Sequence, residues 1–186
     1  MSVEYAKDRR NIELGAFSVD DAARRLLNYR FAEDVCMKSG AGWAATCPTI
    51  KLKFAFSEHA YHDSWHVLWL GQRLPDLRIL DGADLAAPPT LRGSSRMEPP
   101  NEAFLKFVDF LQIEGDELLR LVGLYRVLKT HLTVNYRWYR ESTNQIVDEP
   151  TVRILNHILL EEEQHLRWGQ SMYEELADTP EKRRAA

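Results

Sequence analysis

The sequence predicts an all-α protein, an antiparallel four-helix bundle whose two hairpins are joined by one long crossover. Three observations carry this reading. Apolar residues recur at helical spacing along nearly the whole chain, and no segment alternates as a half-buried strand does. The 186 residues are 45% hydrophobic and 28% charged with only eight Pro and nine Gly, enough to bury a sizeable core and unlike a disordered or collagen-like chain. The breakers bunch between Pro75 and Pro100, which divides the helices into two pairs.

The first helix starts near Ser18, where Ser18-Val-Asp-Asp offers a cap and an acidic first turn, and runs through Leu26, Leu27, Phe31 and Val35 toward Ala45. Cys47-Pro48-Thr49 breaks it. A second helix spans about Thr49 to Leu74 and stops before Pro75. The connection that follows contains Gly82, Pro88, Pro89, Gly93 and Pro99, and its composition suits a mobile lid over one mouth of the bundle. Asn101 to Ile113 forms a short helix, interrupted near Gly115. A long helix then covers Asp116 to Glu141, and after a turn Pro150 opens a last helix that reaches Leu176. Short loops make antiparallel neighbours, so the whole chain, 1–186, reads as one domain with its core at about 18–176.

Composition removes several function classes. A net charge of −4 without a basic stripe argues against a nucleic-acid partner. No apolar run approaches the roughly 20 residues of a membrane span. The charged N-terminus lacks the apolar stretch of a secretion signal, and two cysteines, Cys36 and Cys47, make neither a disulfide framework nor a zinc site. The expected location is the cytoplasm, with both thiols as small buried groups. No Gly-rich nucleotide loop or Ser-His-Asp order is present.

The chemistry lies in the helix seams. Leu52, Phe56, His59, Asp63, His66 and Leu70 follow 4-3-4-3-4 spacing down the second helix, apolar at both ends and polar in the middle. Buried polar groups need a partner, a water or a metal. His62 lies beside this face. In the last helix Val152, Leu155, Leu159, Glu162, Leu166, Gly169, Tyr173 and Leu176 form the seam, with His165 adjacent. Asp63-x-x-His66 and Glu162-x-x-His165 each put a carboxylate and an imidazole on one helix face, because residues i and i+3 are neighbours there. Two such pairs, one per hairpin, are more specific than either alone.

Counting from the hairpin turns sets the levels. Glu33 lies 14 residues before Cys47 and Tyr61 lies 14 after it, which puts Glu33 level with His62 and Asp63. In the second hairpin the same count brings His131 opposite Glu162. No Asp or Glu occurs between Glu117 and Glu141, so the third helix has no acid to offer. Outside the seams, Trp65, Trp69, Trp138 and Trp168 are expected in the core, Glu161 and Glu163 as solvated charges, and His157 at the surface.

The stretches Lys51-Leu-Lys-Phe-Ala-Phe-Ser-Glu-His-Ala-Tyr-His-Asp-Ser-Trp-His66 and Asp148-Glu-Pro-Thr-Val-Arg to Glu161-Glu-Glu-Gln-His165-Leu-Arg-Trp-Gly169 resemble the ferritin-like superfamily of helical bundles. They are most similar to a bacterial branch with an Asp-x-Pro-Thr-Val-Arg start and a Glu-Glu-x-x-His-x-x-Trp-Gly core in its last helix, over about Asp20 to Leu176. The resemblance implies a dinuclear iron or manganese centre used with oxygen in oxidation, hydroxylation or desaturation. Glu33, Asp63, His66, Glu162 and His165 then take metal-ligand roles, with His131 in place of the missing third-helix acid. Imidazoles in place of carboxylates remove charge and bridging oxygens that a hard di-iron centre relies on, so one metal, a softer metal or none competes here with the dinuclear iron or manganese centre.

Three classes of function stay open. The first is a non-haem metal-dependent oxygenase or oxidase acting on a small molecule. In the second, a metal-free or single-metal enzyme, His59, His62, His66 and His131 supply general acid and base chemistry in a pocket lined by Trp and Tyr. The third is a non-catalytic bundle whose polar layer only fixes register. No motif specifies an assembly, and a homodimer through an exposed helical face is the simplest expectation.

Overall fold

The computed structural model describes residues 15–79 and 93–185, and every regular element among them is helical. Helix α1 (Val19–Thr46) is capped by Ser18, whose Oγ accepts from the Asp21 N–H. It turns through Cys47-Pro48-Thr49 into α2 (Ile50–Arg73), which a 3-10 turn at Leu74–Leu77 extends. Helix α3 (Glu102–Ile113) begins at Asn101, whose Oδ1 accepts from the Phe104 N–H. Beyond Gly115 come α4 (Glu117–Leu121), a π-helical stretch (Val122–Lys129) and α5 (Thr130–Ser142) in one continuous rod. Helix α6 (Glu149–Leu176) follows, with Pro150 in its first turn, and α7 (Pro180–Ala185) ends the chain.

The bundle is therefore the predicted all-α one: α1 packs along α2, the π stretch and α5 pack along α6, and α2 faces α6. None of the described helices is long and apolar enough to cross a membrane. The α2 seam is buried along its whole length, from Leu52 through His59, Asp63 and His66 to Leu70. The α6 seam is rotated from the expected one. Leu155, Ile158, Leu159, Glu162, His165, Gly169 and Met172 are buried, while Leu166 is only half-buried. His165 therefore sits in the seam and not beside it. Gly169 is required there, since a Cβ would stand 2.6 Å from the Tyr125 side chain.

Two polar nodes hold the hairpins together. The Asp148 carboxylate accepts from Tyr139 (2.8 Å), Thr143 (2.7 Å), Thr151 (2.5 Å) and the Arg73 guanidinium (3.1 Å), which ties α2, α5 and α6 at one end. The Asp-x-Pro-Thr start of the last helix is thus an anchoring motif. On the other side Arg30 donates to the Val67, Ser94 and Arg96 carbonyls, in space that Gly71 leaves open. Asn28 Nδ2 donates to the Glu98 carbonyl. Residues 93–98 of the crossover are pinned to α1 and α2 by these bonds, contrary to a mobile lid; 80–92 lie outside the described residues. The tryptophan expectation holds for two of the four: Trp69 and Trp168 are half-buried and pack against the core, whereas Trp65 and Trp138 are 40% and 45% exposed, and Trp43 lies within the core. Cys36 and Cys47 are buried as expected.

Asp148→Ala removes four hydrogen bonds, among them one of the two carboxylate contacts of Arg73, which keeps Asp76. Calorimetry should show a loss on the order of 3 kcal/mol, or about 6–12 °C in melting temperature for a chain of this length. A variant that melts with the parent would show that the node adds nothing.

Candidate metal centre

At mid-height the four long helices each turn charged groups inward. Helix α1 supplies Glu33, α2 supplies Asp63 and His66, and α6 supplies Glu162 and His165, all at most 1% exposed. Glu33, Asp63, His66 and Glu162 present one ligand atom apiece within 4.8 Å of one another. The third long helix supplies a cation. Lys129, fully buried at the end of the π stretch, donates to Asp63 Oδ1 at 2.7 Å and to Glu162 Oε1 at 2.6 Å.

His131 does not join this cluster. It is exposed, and its ring lies against Asn135 of its own helix. Level counting gives height along a helix but not face. The inward face of this rod carries Leu121, Tyr125, Leu128, Lys129, Leu132, Tyr136 and Tyr139, and His131 sits one residue, about 100°, away from Leu132. The signal for Lys129 was present, as a lone cation inside an apolar seam of tyrosines and leucines. Being neither an acid nor an imidazole, it falls outside the carboxylate-and-histidine pattern of the other helices.

The remaining neighbours orient the cluster. Tyr136 donates to Glu33 Oε1 at 2.5 Å, and Glu33 Oε2 lies 3.2 Å from His66 Nδ1. His66 Nε2 meets Glu161 Oε2 at 2.7 Å, so Glu161 is a partner of the site and not a solvated charge. His165 Nδ1 donates toward Glu162 Oε1 at 3.2 Å, and its Nε2 is 3.1 Å from Nδ1 of half-buried His62. His59 lies over the His165 ring, with centroids 3.9 Å apart, and bonds Tyr125 OH at 2.6 Å through Nδ1. Glu162 Oε2 is buried with no hydrogen-bond partner among the described residues.

Charge follows from these contacts. Burial works to discharge Lys129, but Asp63 and Glu162 outweigh it and hold the ammonium well above its usual range. Burial lifts the Asp63 carboxyl to about 7, with Lys129 pulling the other way. For His66 burial opposes charge, yet Glu33 and Glu161 raise it to about 10. Burial, together with the neighbouring cations, lowers both His59 and His165, which stay neutral. Cys36 is a thiol pushed well up by burial, so the donors are oxygen and imidazole nitrogen, a set suited to iron or manganese over soft metals.

No protein-family model matches the sequence, and no curated protein matches it either. Among solved structures, the bacterioferritin-related protein from Bacteroides fragilis, a dodecameric thioferritin, matches with a TM-score of 0.63 at 19% identity, over 92% of this chain and 95% of that one. The chain has the ferritin-like fold.

Within this ferritin-like bundle the residues fit one cation and not two. Glu161 takes the Nε2 proton of His66, which leaves the Nδ1 lone pair aimed at three carboxylates, a repulsive arrangement unless a proton or a metal stands between. The unpartnered Glu162 Oε2 offers a further donor. The place of a second ion's third-helix acid is taken by the Lys129 ammonium.

In chelator-treated protein the proton must be on His66 Nδ1, and stability then depends on pH. A folded value of about 10 against 6.5 gives a contribution that is complete below 6.5 and lost as pH rises through 10. Asp63 acts in the same sense lower down, complete below 3.8 and lost by about 7. The lowered His59 and His165 act oppositely, losing stability as pH falls below 6.5. Urea unfolding should therefore show stability falling on the order of a few kcal/mol from pH 7 to 10. A flat profile there would contradict a protonated His66.

Proposed function

We propose that this ferritin-like chain is a metal-dependent oxidoreductase of small-molecule metabolism that works with one iron or manganese ion beside a lysine ammonium. What carries the reading is His66, gripped at Nε2 by Glu161 and directed through Nδ1 at Glu33, Asp63 and Glu162. Metal-binding histidines commonly donate their other ring N–H to a carboxylate in this way, which fixes the tautomer and the ring orientation. Glu33, His66 and Glu162 would hold the ion, with Asp63 shared between it and Lys129. A bound iron or manganese ion supplies one-electron redox chemistry.

The protein's own groups do the rest. Tyr136 fixes the Glu33 carboxylate, and Lys129 holds Asp63 and Glu162 in one orientation. His165 donates its Nδ1 proton to Glu162 and faces His62 across its Nε2, so protons have a route from the buried carboxylate to a half-exposed imidazole. His59, neutral and fixed by Tyr125, keeps the His165 ring in place by stacking. An oligomer belongs to this reading, with a homodimer as its smallest form. Ile50, Phe54, Tyr61 and Trp65 expose an apolar stripe along α2, and the bacterioferritin-related neighbour is dodecameric.

Lys129 itself favours a second reading. Its ammonium already bridges two carboxylates as a cation does, and the site would then work without metal, by acid-base chemistry through His62 and His165. Metal analysis separates the two. On the first reading, protein prepared without chelator carries about one equivalent of iron or manganese, and Fe(II) at a hundred times its dissociation constant raises the melting temperature by about 5–10 °C. His66→Ala and Glu162→Gln should each abolish binding, and Lys129→Glu should raise the capacity toward two. If none of these metals binds or shifts the melting curve, the first reading fails and the second takes its place.

A further inference from the structure

Outside the cluster, one cavity has a built polar wall that nothing described so far uses. About 200 Å³ of space opens between α1, α3 and α5, lined by Arg25, Asn28, Tyr29, Ala32, Pro100, Phe104, His131, Leu132 and Asn135, as one partly open pocket. Arg25 is its cation. The guanidinium carbon lies 4.6 Å from the centroids of both the Phe17 and Trp138 rings, which meet edge-on 5.2 Å apart, so an aromatic pair holds it in position where an ion pair usually does. No carboxylate pairs with it among the described residues, and its Nε is buried without an acceptor. The neighbouring acid one turn back, Asp21, is engaged by Arg24 and Ser18.

We propose that this pocket binds a small organic monocarboxylate, its carboxylate on Arg25 and its apolar body against Tyr29, Phe104 and Leu132. Half-exposed Arg25, with no carboxylate partner among the described residues, offers its planar guanidinium to a carboxylate. One cation without a second beside it suits a singly charged anion over a doubly charged phosphate. The apolar remainder of the wall suits a hydrocarbon or aromatic body, and the volume lies below the roughly 300–1,000 Å³ of sites for drug-sized ligands, which limits the ligand to about amino-acid size. His131 stands at the rim, 3.1 Å from Asn135 Nδ2, and this is the place of the histidine that the sequence had set at the metal. The inner wall also reaches toward the cluster. Tyr29 packs edge-on against Tyr136, with centroids 4.9 Å apart, and Tyr136 bonds Glu33. A ligand touching Tyr29 is thus one aromatic pair from the candidate metal site, although its binding does not depend on a metal.

Isothermal titration of chelator-treated protein with benzoate, hexanoate and inorganic phosphate tests this, and removal of metal keeps the result separate from the metal reading. Saturable one-to-one binding is expected for benzoate or hexanoate and none for phosphate. Arg25→Gln should weaken it at least about tenfold. Because Arg25 also stacks on two rings, His131→Glu serves as a second variant. It places a negative charge at an exposed rim position and should weaken binding several-fold with an unchanged melting temperature. Absence of saturable heat up to roughly 20 mM ligand, equal affinity in His131→Glu, or phosphate binding as well as benzoate each overturns the proposal.

Discussion

The Lys129 ammonium, held between Asp63 and Glu162 with no exposure to water, is the interaction on which the rest of the interior depends. Three carboxylates and two imidazoles at one level of a narrow bundle could not stay there uncompensated, since an unpaired buried charge costs several kcal/mol. Lys129 meets that demand from the one helix without an acid. With His66 protonated as well, two positive groups face the three carboxylates, and the layer is near neutrality before any metal is added. Each of the four long helices contributes to this layer, so it also locks their relative heights.

The π-helical stretch is where local structure departs from the regular pattern. Val122–Lys129 bonds with the wider i to i+5 register, which disturbs helical spacing just before the site. It turns Tyr125 toward His59 and Gly169, and Lys129 toward Asp63 and Glu162. Single-turn π distortions gather at functional sites because they cost stability that an ordinary helix would keep. The support around it is rigid on both sides, with the Asp148 node at one end and the pinned 93–98 segment across α1 and α2. The polar layer is thus set between two hydrogen-bonded anchors.

Much of this was legible in the sequence. The helix boundaries follow from Ser18, Cys47-Pro48, Asn101, Gly115 and Pro150, all short-range chemistry, and the α2 seam from its spacing alone. Both acid-x-x-His pairs and Glu33 come together because an i, i+3 pair shares a face whatever the partner helix does. What could not be read was anything set by rotation about a helix axis. His131 was placed at the right height on the wrong face, and the α6 seam was shifted by one position, which left His165 at its edge. Glu161 was missed for a similar reason, since only the third dimension brings its carboxylate to His66 Nε2. Lys129 is different. Its place in an apolar seam was visible, and it was overlooked because a lysine is rarely buried without partners, while its partners sit on two other helices.

The difference between charge and hydrogen bonding decides how the layer should be understood. A polar layer kept only to fix register reaches its lowest energy when every donor and acceptor is satisfied, because each buried group left without a bond costs about 1–3 kcal/mol. Lys129 settles the charge here, yet it does not settle the bonding. Glu162 Oε2 has no donor among the described residues, and His66 Nδ1 is satisfied only while it carries a proton that Glu33 and Glu161 must stabilise against burial. On the metal reading proposed above, one cation held by His66 and Glu162 would repair both deficits. A leucine at position 162 would remove that unbonded oxygen but would strand the Lys129 ammonium and the His165 Nδ1 proton, so one oxygen of this carboxylate serves the charge balance while the other is left without a bond, which fits a layer shaped to accept something more than one shaped only to hold helices in register.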